Sequence, residues 1–286
     1  MRTNFLNKIK YYLYKLDKRS ILILGLIIGG AIFSAYYLIT HVVYPKKTVY
    51  VVKITGFISY DTMNIDGLYH FLKNFHGDGL LLYVDSPGGS LETYKIVEAL
   101  KNVSVPKVCY IHYYGASGAY WICSQANKIV AEPFAITGSI GGIIEYLDFS
   151  GLLKKLGITP VIIKVGKYKD MGNDLRNITP EEREIMYKKL KMFVDIFQRD
   201  VLAKRNITNT SEAFSGEWFF GIEAKKLGLV DELGDYQTAK EEMAKLLNTS
   251  VNNINFVEVS FEKPKPLLYK LLGFSIADLV KKVIIS

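Results

Sequence analysis

Two glycine-rich turns constrain this sequence more than anything else in it. The first, Asp85-Ser86-Pro87-Gly88-Gly89-Ser90, follows the apolar run Gly79-Leu80-Leu81-Leu82-Tyr83-Val84. The second, Tyr114-Gly115-Ala116-Ser117-Gly118-Ala119-Tyr120, follows an apolar stretch that starts at Val105. Each run reads as a buried strand and each turn leads into a helix-like segment, so the chain forms βαβ units around a mainly parallel sheet. Ser117 has only Gly and Ala beside it, which leaves its hydroxyl open to a substrate. It precedes a helix, where free N–H groups and the helix dipole favour an anion. Gly88-Gly89 turns tightly without a Cβ and can bring a second backbone N–H to the same point. One hydroxyl and two converging amides are the minimum for acyl transfer through a tetrahedral oxyanion. Taken one at a time, either turn is better read as an ordinary βα connection; the two together, with Lys169 below, reverse that preference.

The N-terminus adds a second constraint. Ile21 to Thr40 carries no charge and is long enough to cross a bilayer of roughly 30 Å as a helix. Before it stand Arg2, Lys8, Lys10, Lys15, Lys18 and Arg19 against Asp17 alone. That bias predicts a cytoplasmic N-terminus and a domain on the far side of the membrane. A cleaved signal peptide is the competing reading. It would have a shorter apolar region and a small-residue cleavage site, and no Ala-x-Ala follows here, which favours an uncleaved anchor. The net charge of +8 resides mostly in this cluster and in Lys46 and Lys47. The basic residues are thus explained by topology and anionic lipid, and nucleic-acid binding is not indicated.

The expected organisation is a basic segment (1–20), an anchor (21–44), a catalytic domain (48–262) and an amphipathic tail (263–286). Within the domain the pattern predicts strands at Thr48–Ile58, Leu80–Val84, Val108–Tyr113, Lys128–Ala131, Pro160–Val165 and Asn255–Ser260. Helices are expected near Gly67–Asn74, Leu91–Asn102, after Ser117, and at Ile222–Leu227 and Tyr236–Leu247. Ile143–Leu156 reads as mixed. Thr179-Pro180-Glu181-Glu182 is a capping box with proline at the first helical position, opening a helix towards Arg205. Met186, Leu190, Phe193, Val194, Phe197 and Val201 share one face of that helix, as core or subunit contact. The tail, with Leu267, Leu271 and Leu279 beside Lys270, Lys281 and Lys282, suits either subunit packing or a membrane surface. Cys109 and Cys123 fall in an apolar strand and the following helix, where buried free thiols are expected. No Cys/His cluster has the spacing of a zinc site, so no metal is expected.

A serine hydroxyl needs a base. His41 abuts the membrane segment, His70 and His76 have no acid placed to orient them, and alternation makes His112 a sheet-face residue. Lys169, in Val165-Gly166-Lys167-Tyr168-Lys169-Asp170, follows an apolar run with Lys167 close by. A lysine serves as a base where burial and neighbouring positive charge make its neutral form accessible. The alternative is that Lys164, Lys167 and Lys169 are simply solvated.

Taken together, the motifs resemble the signal peptide peptidase A family of membrane-anchored serine proteases. The matching elements run in family order across roughly residues 48–240. They are Asp85-Ser86-Pro87-Gly88-Gly89, Ala116-Ser117-Gly118, Thr137-Gly138-Ser139-Ile140-Gly141 and Gly166-Lys167-Tyr168-Lys169-Asp170 with Arg176. Thr179-Pro180-Glu181-Glu182-Arg183, Gly221-Ile222-Glu223-Ala224 and Gly228-Leu229-Val230-Asp231-Glu232-Leu233-Gly234 follow. The resemblance implies a Clp-protease/crotonase-like α/β fold. It implies Ser117 as nucleophile, Lys169 as base, Gly89 and Gly118 as oxyanion-hole amides, and Ser139 as a residue orienting the lysine. Clp proteases place a histidine base near the position of Ile140-Gly141-Gly142, and its absence fits a Ser/Lys pair. The family's arginine ahead of the Gly221 motif is missing, and Val165-Gly166 stands where Ser-Gly is usual.

The implied activity is ATP-independent cleavage of released signal peptides or other hydrophobic membrane-associated peptides, by a homo-oligomeric ring and without a cofactor. No P-loop motif is present. A protease that cuts one specific integral-membrane partner is the nearest alternative. A crotonase-type acyl-CoA enzyme and a non-catalytic membrane scaffold are the rivals from other classes.

Overall fold

The computed structural model describes Tyr11, residues 17–38 and residues 46–264. Arg2, Lys8, Lys10, Lys15, His41, the expected end of the anchor (39–44) and the tail from 265 onward lie outside the described residues. The chain divides into two compact units, Met1–Lys47 and Thr48–Ser286. In the first, α1 (Lys18–Leu38) buries no residue and is long and apolar enough to cross a membrane. A helix apolar on all sides has no polar face to give to water.

The second unit is built on an eight-stranded sheet. In chain order its elements begin with β1 (Lys47–Thr55), α2 (Ile65–Lys73), β2 (Gly79–Ser86), α3 (Thr93–Lys101), β3 (Lys107–Ala116) and α4 (Gly118–Ser124). Then come β4 (Lys128–Ala131), β5 (Ile136–Gly138), α5 (Ser150–Lys155), α6 (Pro180–Leu202), α7 (Thr210–Ala213) and β6 (Trp218–Phe220). The last are α8 (Gly221–Leu227), β7 (Glu232–Leu233), α9 (Tyr236–Leu246) and β8 (Ile254–Ser260). Along the sheet the order is β6-β5-β3-β2-β1-β8, with β4 paired to β3 and β7 to β4. The pairs β1–β2, β2–β3, β3–β4, β3–β5 and β4–β7 are parallel and β5–β6 is antiparallel. This is the mainly parallel α/β architecture of βαβ units that the sequence predicts.

Both faces of the central strands are covered, so their inner stretches, Leu80–Val84 and Val108–Ile111, are apolar without interruption. Cys109 and Ile111 of β3 and Leu80, Leu82 and Val84 of β2 pack into the larger core with α2, α3 and α4. Val108, Tyr110 and Leu81 face the other way, against Ala239, Met243 and Ala244 of α9. The capping box of α6 forms as expected, with Glu182 N donating to Thr179 Oγ1 and Thr179 N to Glu182 Oε2.

Two expectations are corrected. Cys109 and Cys123 are joined in a disulfide, their Cα atoms 5.3 Å apart, rather than being free thiols. Helix α4 folds back over β3, which brings the two sulfurs together from either side of the Ser117 turn. Residues 160–165 do not join the sheet. Val161, Ile163 and Val165 are 83–96 % exposed, because no strand among the described residues lies beside them. The apolar run that suggested a strand is real, but it packs on no core among the described residues.

Candidate active site

Strand β3 forks. Val108–Ile111 pairs with β4, while Tyr114–Ala116 pairs with β5, and the register to β2 shifts between Val84 and Ser86. The extra residues bulge at His112 and Tyr113. His112 therefore turns to Tyr110, whose hydroxyl lies 3.2 Å from its Nδ1, and to the ring of Tyr113. It does not line the cavity around Ser117. The sheet-face reading of His112 holds.

The chain leaves β3 at Ser117 with φ 53° and ψ −126°, a backbone conformation that glycine adopts freely and serine rarely. Ser117 N donates to Gly138 O at 2.8 Å, which ties the turn to the end of β5. The next residue there, Ser139, is also left-handed, with φ 49°, and its N donates to Glu217 O at 2.8 Å. Ser117 and Ser139 line one cavity of about 840 Å³. Two serines with positive φ lining a single cavity make this cavity the candidate functional site, because such strain concentrates at functional sites.

The Gly88-Gly89 turn closes on Ser117 from β2. Ser86 Oγ braces it, accepting from Gly88 N at 3.1 Å. Gly88 has φ 120°, and a Cβ there would lie 2.8 Å from Ser117 Cβ and 3.2 Å from Gly118 N. A Cβ on Gly118 would lie 3.3 Å from Gly89 N. The amides of Gly89 and Gly118 thus flank the same space, and neither donates to another group among the described residues. Two free amides beside a serine hydroxyl could receive a developing oxyanion.

The cavity walls are apolar. Trp121 of α4 is fully buried, stacks on Phe197 at 4.8 Å and meets Phe193 edge-on at 5.4 Å. Its Nε1 donates to Asp200 Oδ2 at 3.1 Å, and the same oxygen accepts from Lys101 Nζ at 2.8 Å. The buried carboxylate is thereby paired, and the indole is fixed in one orientation. Leu190, Val194 and Ile140 extend the apolar lining, with Glu145 and Lys189 adding charge.

Ser117, Gly89, Gly118 and Ser139 therefore share one cavity. Lys169 does not. It lies in an exposed turn after Gly166 and outside the cavity lining, while Lys189 of α6 is part of it. The neighbours of Lys169 are tightly organised. Asp170 accepts from Arg176 Nε at 2.8 Å and from Lys164, and Arg176 also bonds both oxygens of Glu182, at 2.9 and 2.5 Å. The Arg176 guanidinium, with the Thr179 amide, lowers the Glu182 carboxyl to about 2, and Arg176 with Lys164 holds Asp170 well below the carboxylate range. No group of three or more His, Cys, Asp or Glu residues able to hold a metal occurs among the described residues. Trp121, Lys189 and Thr93, which also lines the cavity, carried no signal in the sequence. Each reaches the site through helix packing rather than through a local motif.

The profile of peptidase family S49 matches residues 99–250. A Methanocaldococcus jannaschii protein that carries the name of a protease is 37 % identical over 213 residues, 72 % of this chain and 68 % of that one. An Enterococcus faecium protein named as a signal peptide peptidase is 35 % identical over 173 residues, 58 % of this chain and 50 % of that one. Among solved structures, a membrane-bound stomatin-specific protease with a substrate peptide aligns over 82 % of this chain and 99 % of its own. The identity there is 17 % and the TM-score 0.47.

Proposed function

The chain belongs to peptidase family S49 and is a serine peptidase, and from that premise we propose that Ser117 is its nucleophile and Lys169 its base. The amides of Gly89 and Gly118 form the oxyanion hole and Ser139 orients the lysine. The observation that carries this reading is the left-handed Ser117, set beside two unpaired glycine amides at the mouth of an apolar cavity. Neutral Lys169 takes the proton from Ser117 Oγ as the Oγ–C bond forms, and the carbonyl electron pair moves to oxygen. The lysine then gives that proton to the departing amine as the C–N bond breaks. Water repeats the sequence to free the new carboxylate.

The position of Lys169 supports a base supplied by a second copy of the chain. The apolar strip Val161–Val165 stands exposed just ahead of it. Paired with a neighbouring copy, that strip would bury its side chains and carry Lys169 to the neighbour's Ser117. We assign the protein to the membrane by α1, with the N-terminus cytoplasmic and the catalytic unit outside. The Cys109–Cys123 disulfide suits an oxidising compartment. The walls formed by Trp121, Phe193 and Phe197 favour apolar residues next to the scissile bond, as in signal-peptide remnants. The test is labelling by a peptidyl phosphonate. The intact protein labels at Ser117 and Ser117→Ala neither labels nor cleaves; turnover by Ser117→Ala at the native rate removes the assignment.

A further inference from the structure

Thr93 is the first residue of α3, just past the Gly88-Gly89 turn. It is 1 % exposed, yet it lines the cavity in front of Ser117. Its Oγ1 is fully buried and has no hydrogen-bond partner. Native proteins rarely leave a buried hydroxyl unpaired, and where they do the group needs an explanation. Among the described residues the other buried side-chain polar atom in this condition, Arg205 Nε, belongs to a guanidinium whose remaining nitrogens bond Asp231 and Ala126 O, and Arg205 does not line the cavity. The serine hydroxyls of the glycine turn are committed elsewhere: Ser86 Oγ to the Gly88 backbone, Ser90 Oγ to Glu92. Thr93 is different.

Its position says what it waits for. A Cβ built on Gly118 would lie 2.9 Å from Thr93 Oγ1 and 3.3 Å from Gly89 N. The threonine hydroxyl, the Gly89 amide and Gly118 therefore surround one small space. Glycine at 118 keeps that space free, since any side chain there would meet Thr93. An alkoxide oxygen accepts three hydrogen bonds, and two amides leave one direction open.

We propose that Thr93 Oγ1 is a third donor of the oxyanion site, giving its hydrogen bond to the substrate carbonyl oxygen as that oxygen becomes an alkoxide. The proposal rests on the reading of Ser117, Gly89 and Gly118 given above. Thr93 keeps its proton throughout: the carbonyl electron pair moves to oxygen as Ser117 Oγ bonds to carbon, and returns when the amine departs. Because the hydroxyl is unpaired in the resting protein, it breaks no bond in order to engage. Its whole contribution falls on the transition state.

The experiment uses the full chain in detergent, a leucine-rich tripeptide coumarylamide as substrate and the matching tripeptide aldehyde, which adds to a serine hydroxyl to give a tetrahedral hemiacetal. Thr93→Val lowers kcat by about 10- to 100-fold, leaves KM within about twofold, and weakens the aldehyde by the same factor as kcat/KM. Thr93→Ser recovers most of each loss. The melting temperature of Thr93→Val stays level or rises, because the resting fold loses no hydrogen bond. Native kcat and native aldehyde affinity in a folded Thr93→Val protein overturn the proposal. A lowered melting temperature with kcat and KM changed together also overturns it, by showing a structural hydroxyl. Ser117→Ala is run beside these. If it cleaves like the native protein, the reading of the nucleophile has failed and the third donor falls with it; if it is inactive, the Thr93 result stands on its own.

Discussion

Gly89→Ala tests the geometry of the oxyanion site most directly, because the clash it creates is with backbone. A Cβ at Gly89 would lie 2.3 Å from Ile58 O, 2.4 Å from Ile58 Cβ and 2.9 Å from Ile58 Cα. Carbon and oxygen normally stay at least about 3.3 Å apart, so the overlap is about 1 Å. Neither Ile58 O nor the peptide that carries it can swing away as a flexible side chain would. Relief requires the 88–90 turn to separate from Ile58, and two hydrogen bonds hold them together: Ile58 N to Gly88 O at 2.9 Å and Ser90 N to Ile58 O at 3.0 Å. At about 0.5–1.5 kcal/mol net for each, their loss costs about 1–3 kcal/mol of stability. A displacement of about 1 Å also takes the Gly89 amide out of reach of the oxyanion, which costs on the order of 100-fold in kcat. Urea unfolding and steady-state kinetics on the purified protein read the two effects separately. A folded Gly89→Ala protein with kcat within about threefold of native refutes the assignment of this amide, whatever its stability.

Three further outcomes are expected. Lys169→Ala and Ser117→Ala are each inactive alone, and subunit exchange between them restores activity, because a mixed assembly holds boundaries with both native residues; an active Lys169→Ala together with an inactive Lys189→Ala moves the base to the lysine that lines the cavity in the same chain. Glu182 titrates near 2 in the fold against an ordinary 4.5, chiefly through Arg176, so its stabilisation is complete above about pH 4.5 and disappears as pH falls towards 2. Melting curves across that range should decline more steeply for the native protein than for Arg176→Met, and identical slopes would discount the pair. The disulfide closes a loop of sequence separation 14, so Cys109→Ala/Cys123→Ala loses about 3 kcal/mol on a loop-entropy basis; thiols that alkylate in the unfolded protein without reductant would show that the bond is not formed.

The features legible in the sequence are those that local chemistry sets. Lys128–Ala131 reads as a strand, and Thr179 as a cap, from neighbouring residues alone, and the structure places both as read. The Ser117 and Gly89 turns were equally visible, because a strand-to-helix turn built from glycine and serine announces itself over a few positions. Strands β5, β6 and β7 were not visible. At two or three residues each they exist only because distant partners supply their hydrogen bonds. The opposite error occurred at 160–165, where an apolar run had the composition of a strand but no neighbouring strand among the described residues. Thr93, Trp121 and the Cys109–Cys123 pair share one reason for being missed: their meaning lies in how α3 and α4 pack over the sheet.

The left-handed backbone at Ser117 and Ser139 has a bearing on descent as well as on chemistry. A serine held at φ near +50° costs on the order of 1 kcal/mol that glycine in the same place would not. Ser117→Gly is therefore a variant expected to gain stability while losing the hydroxyl assigned above as the nucleophile. If Ser117 is the nucleophile proposed above, selection for cleavage is what holds a serine there against that cost, and a lineage in which cleavage ceased to matter would drift downhill to glycine at both positions. Relatives that retain the glycine turns, the disulfide and the apolar cavity but carry glycine at these two sites would be former enzymes, recognisable as such by a backbone that still bends where a nucleophile once stood.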